Sequence, residues 1–106
     1  MATFYRIVQT NPPREADFLS DKEQGRTPRS EAHQRLWDGI SVYATEQQAR
    51  NKAHDFPVIG QYIAQLHIPD QAPVRIERTL RRSRGHHTLW ADPTYLLDCV
   101  VVVVLV

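Results

Sequence analysis

Five consecutive valines, Val100 to Val104, follow the only cysteine of the chain and run into Leu105 and Val106. Branching at Cβ crowds a helix and suits a pleated strand, so this run predicts a β-strand. The stretch CVVVVVLV is eight residues long, whereas a helix that crosses a membrane needs about 20, so it is not read as an anchor. Apolar at both parities, it reads as a strand buried on both faces. It is expected in the sheet interior, because an exposed valine-rich edge invites aggregation.

A buried strand needs neighbours, and the chain supplies them. FYRIV (Phe4 to Val8) is aromatic and β-branched and is closed by Asn11-Pro12-Pro13. GISVYAT alternates Ile40, Val42 and Ala44 against Ser41, Tyr43 and Thr45, and QYIAQLHI alternates from Gln61 to Ile68. VRIER places Val74 and Ile76 inward against Arg75 and Glu77 outward, and residues 86–90 form a further short strand. Helices are expected in three or four places. One runs from Arg14 and ends at Gly25, and one runs from a Ser30 cap through Trp37. One opens on the Thr45 and Gln48 capping box, with Ala49, Ala53 and Phe56 on a single face, and one begins at Asp92-Pro93. Strands outnumber helices without alternating regularly, which predicts an α+β domain with a mostly antiparallel sheet.

The 106 residues allow a single core, since a chain of this size buries roughly two-thirds of its unfolded surface. Thirteen Lys and Arg against twelve Asp and Glu leave a net charge of +1. Any case for a nucleic-acid partner therefore rests on local clustering. Cys99 is alone, which excludes an intrachain disulfide. MATFYRIVQT lacks the basic segment and apolar core of a secretory signal, so a cytoplasmic location is expected.

The sequence contains no Gly-rich phosphate loop, helical zinc-protease motif or calcium loop. His33, His54, His67, His86 and His87 lack a ligand spacing, and neighbours on a strand face opposite ways, so no metal is expected. Cys99 has an acid, Asp98, beside it rather than a base, and reads as a small core residue. Arg75, Arg78, Arg81, Arg82 and Arg84 put five guanidinium groups in ten residues, offset only by Glu77. They suit either a solvated hairpin loop or RNA or DNA binding through the arginine loop 75–84. Arg6, a charge on an otherwise apolar strand, calls for an anionic partner, either structural, such as Glu77, or a ligand phosphate.

Three pieces of this pattern together resemble small bacterial proteins of the ADP-ribosyltransferase-like fold. They are an early strand carrying an arginine (FYRIV), a middle strand and helix (GISVYATEQQA), and a late strand followed by a turn (GHHTLWADP). The resemblance implies a nucleotide-cleft protein related to NAD-dependent transferases or NAD-cleaving toxins. In it Arg6 would hold the ribose or diphosphate of NAD, and Ser41 and Tyr43 would support the nicotinamide ring. Trp90 would add a cofactor contact. The family also uses a late-strand acid, and here GHHTLW has no carboxylate. His86 or His87 would then act as general base, Glu77 would substitute for the acid if its strand lines the same cleft, and a catalytically impaired nucleotide binder becomes an equal expectation. The alternative from another class is a non-catalytic protein-interaction module, with Trp90, Tyr95 and the arginine loop as its contact surface.

Overall fold

A computed structural model describes residues 1–79 and 85–106 of the chain. Within them β1 (Ala2–Val8), β2 (Ile40–Tyr43), β3 (Tyr62–Ile68), β4 (Arg75–Arg78), β5 (His86–Trp90) and β6 (Val100–Leu105) form one sheet. Its order is β4-β5-β2-β1-β3-β6 and every neighbouring pair is antiparallel. With the helices α1 (Glu31–Leu36), α2 (Glu46–Asp55) and α3 (Pro93–Asp98), this is the α+β arrangement that the pattern predicts.

Alternation along the strands divides the core into two layers. Phe4, Val8, Ile40, Val42, Leu66 and Leu89 pack on one face, with Phe18 and Leu96 of α3 over them. Ile7, Tyr43 and Ile63 point the other way, beneath Ala49 and Ala53 of α2. The caps follow the sequence. Ser30 accepts the N–H of His33, Thr45 and Gln48 form the reciprocal box, and Asp92 accepts the N–H of Thr94 ahead of a helix that opens on Pro93.

Several expectations are corrected. The valine strand β6 is not in the sheet interior but at its edge, with Val101 and Val102 each about half exposed. β1 and β3 pair along seven residues, so β3 has one free side, and α3 delivers the chain to it. Side-chain branching specifies a strand; it does not specify how many neighbours that strand has. The segment from Arg14 to Gly25 holds only a single 3-10 turn, Glu15–Phe18, because Asp17 folds back onto the backbone of Gln9 and Arg14. Ile76 shares the core face of Leu89, as expected, but stays 39 % exposed because β4 is the other outer strand. Phe56 follows the last turn of α2 and is exposed as well, with the Lys52 ammonium over its ring.

Candidate functional site

The loop between the 3-10 turn and α1 is fastened onto that helix. Ser20 and Glu23 exchange hydrogen bonds, Lys22 N–H donates to Trp37 O, and the Trp37 indole donates to Arg26 O at 2.7 Å. The Ser30 cap sets His33 in the first turn of α1, where its ring reaches back across the loop. Its Nδ1 accepts the N–H of Arg29 at 2.9 Å, so the ring proton is on Nε2 and is donated to Asp21 Oδ2 at 3.0 Å. Asp21 Oδ1 accepts from Arg26 at 3.2 Å.

Beneath this pair lies a cavity of about 90 Å³, walled by Asp21, Arg29, His33 and Leu36 and floored by Gly39, Ser41, His86 and Thr88. The floor follows from register. Ser41 sits opposite Thr88 and Tyr43 opposite His86, so all four share one face of β2 and β5. Gly39 is required at this corner: a Cβ there would collide with the Thr88 methyl and lie 2.9 Å from the Trp90 ring. Thr79 Oγ1 bridges the floor, 2.5 Å from His86 Nδ1 and 3.1 Å from Thr88 Oγ1. The Ser41 hydroxyl and the Arg29 guanidinium make no side-chain hydrogen bond among the described residues, which leaves both available to a ligand.

Arg6 of β1 finds its partners in two backbone carbonyls rather than in Glu77, and one of them belongs to the cavity residue Ser41. Its Nε donates to Asp17 O at 2.9 Å and its Nη1 to Ser41 O at 2.7 Å. Burial pulls its pKa down to about 10, against the opposing pull of Asp17, Tyr43 and Asp21, so the group remains charged at neutral pH. Asp17 is desolvated, which alone would raise its pKa. Hydrogen bonds from Arg14 N–H, Thr10 and Gln9 N–H, together with the charge of Arg6, outweigh that and hold the carboxyl below the usual range.

The predicted site residues therefore separate. Ser41 and His86 line the cavity, with Arg6 behind the Ser41 carbonyl. Tyr43 is buried edge-on to His86, ring centroids 5.5 Å apart, and burial raises its hydroxyl pKa, partly offset by Arg6. Glu77 lies opposite Thr88 on β4, but both of its oxygens accept from Arg35 of α1, at 2.9 and 3.1 Å. Trp90 lies under the Arg75 guanidinium at 4.3 Å and donates to Asp38 at 2.8 Å. His87 faces the opposite side of the sheet, tilted against Phe4. Its Nδ1 donates to Gly85 O at 2.9 Å beside a separate, open hollow of about 480 Å³. Arg81, Arg82 and Arg84 of the arginine loop lie outside the described residues.

Sequence reasoning missed Asp21, Arg29 and His33. They stand in a polar, breaker-rich stretch that reads as surface loop, and the one local signal of their placement is the Ser30 cap that fixes His33. Among the described residues no group of three His, Cys, Asp or Glu is placed to hold a metal ion, and no helix is long and apolar enough to cross a membrane. Compared with protein-family models, curated proteins and solved structures, the chain matches none.

Proposed function

We propose that this chain is a nucleotide-cleft protein of the ADP-ribosyltransferase-like kind, whose cavity takes either the ribose or the nicotinamide ring of NAD or a closely related nucleotide. One observation carries the reading: a carboxylate, Asp21, faces the same cavity as Ser41 and His86, with Arg29 at the wall. The late strand lacks an acid, and Asp21 supplies one from the loop. Loss of nicotinamide leaves a cation-like sugar, which a carboxylate fixed in a low-dielectric site stabilises. His33 holds that carboxylate in place and has no ring nitrogen left for proton transfer. His86 lines the same cavity, with its Nδ1 beside Thr79 Oγ1.

Size sets how the ligand lies. About 90 Å³ is well below the roughly 300–1,000 Å³ of pockets that enclose a whole small molecule. One sugar or one ring enters, and the diphosphate stays outside, where the exposed Arg29 can pair with it.

The test is a titration of the purified protein with NAD, following melting temperature and release of nicotinamide. Saturating NAD is expected to raise the melting temperature, with Arg29→Ala weakening binding by about tenfold, the worth of one exposed charge-assisted contact. Asp21→Asn should abolish any nicotinamide release while retaining binding. Binding without release identifies an impaired relative. Neither a thermal shift nor release at millimolar NAD removes the proposal.

A protein-interaction module is the second reading, favoured by Val58, which is 87 % exposed, beside the exposed Phe56.

A further inference from the structure

The two outer strands of the sheet are built differently. β4 carries Arg75, Glu77 and Arg78 on four residues, the charged composition by which edge strands avoid pairing with other chains. β6 reads VVVVVL, with no charge and no proline, and Val101, Val102 and Leu105 (66 %) are exposed on it. Its composition is that of a strand with two neighbours, and among the described residues it pairs with β3 alone. Register shows what the free side offers. The Val106 N–H donates to Gln61 O, and Val104 and Val102 stand opposite Ile63 and Gln65. In an antiparallel ladder every second residue bonds the same neighbour, so Val102, Val104 and Val106 serve β3 while Val103 and Leu105 turn their amides outward. The Leu105 carbonyl is taken by Arg50 at 3.1 Å, which leaves the Val103 N–H and C=O and the Leu105 N–H.

We infer that β6 pairs with β6 of a second copy of this chain, joining two six-stranded sheets into one. About a twofold axis at Val103, each Val103 exchanges both of its backbone bonds with its counterpart, and Val102 of one copy lies beside Val104 of the other on a shared face. The partner is a second copy because the edge is self-complementary and uncharged, so pairing it with itself strands no charge. The competing contact, β6 of one copy on β4 of the next, would grow without closing, and Arg75 and Arg78 oppose it.

Sedimentation of the full chain across a concentration series tests this. The expected mass is twice 12.3 kDa, with slowed amide exchange at Val103 and Leu105. Val103→Pro deletes an outward N–H without touching the bonds to β3, and Val102→Lys puts a charge on the joint. Each should raise the dissociation constant by about tenfold or more while the chain stays folded. The proposal is overturned by a 12.3 kDa species persisting to about 1 mM, where even weak pairs are populated. It is equally overturned by a dimer in which Val103 and Leu105 exchange as fast as in the dilute chain, by one indifferent to both substitutions, or by open-ended growth.

Discussion

His33 donates its single ring proton to Asp21 across 3.0 Å, and the direction of that bond is set by a third group, the Arg29 N–H, which occupies the other ring nitrogen. The imidazole therefore acts as a strut between the loop and α1. It also leaves the carboxylate one fixed orientation over Ser41.

Replacing the strut should cost stability as well as ligand affinity. His33 is buried, and His33→Ala leaves the Arg29 N–H and an Asp21 oxygen without their partner. A loss of about 1–3 kcal/mol is expected from urea unfolding. A neutral result would mean that water replaces the ring and that the loop holds without it.

Arg6 should tolerate no replacement well. Arg6→Ala strips donors from Asp17 O and Ser41 O, at a cost of about 1.5–3 kcal/mol for charge-assisted bonds. Arg6→Lys keeps the charge but cannot serve two carbonyls from one planar fork, so it should fall between wild type and Ala. Equal melting temperatures for Arg6→Lys and wild type would refute the two-carbonyl role.

Acid should expose the contribution of Asp17. Its folded pKa lies below the unfolded value, so its stabilisation is complete above about pH 4 and is lost as pH falls through the folded pKa. Wild type should be more stable than Asp17→Asn at neutral pH, and the gap should close in acid. A gap independent of pH would show that the carboxylate charge is not what Gln9, Thr10 and Arg14 recognise.

Cys99 should be slow to react. Burial raises its thiol pKa and Asp98 adds to that, while a hydrogen bond with Tyr95 opposes them. Disulfide-exchange labelling at pH 8 should be far slower in the folded chain than in denaturant, and Asp98→Asn should speed it modestly. Rapid labelling of the folded chain would place the thiol at the surface.

What could be read from the sequence was local, and what could not was a matter of neighbours. The alternation of GISVYAT and QYIAQLHI, the Thr45 box and the Asp92-Pro93 start are short-range signals, and each marks a real element. The opposite facing of His86 and His87 follows from strand parity alone. The valine run shows the limit, since burial on two faces depends on a second neighbouring strand that residues 99–106 do not encode. Asp21 and His33 show it again. Their meeting spans twelve positions through a loop whose composition gives no periodicity, so only the folded loop reveals that a carboxylate enters the cavity.

β1 and β2 meet in register at one residue pair, Tyr5 with Tyr43, and the Arg6 bond to Ser41 lies beside it. The sheet is therefore two three-stranded ribbons, β4-β5-β2 and β1-β3-β6, clasped at a seam by an arginine. Every described residue that lines the cavity belongs to the first ribbon or to the loop and helix above it. The second ribbon, β6 included, contributes none of the described lining residues, and a change there would reach Ser41 through the Arg6 bond and through the core contacts that cross the seam.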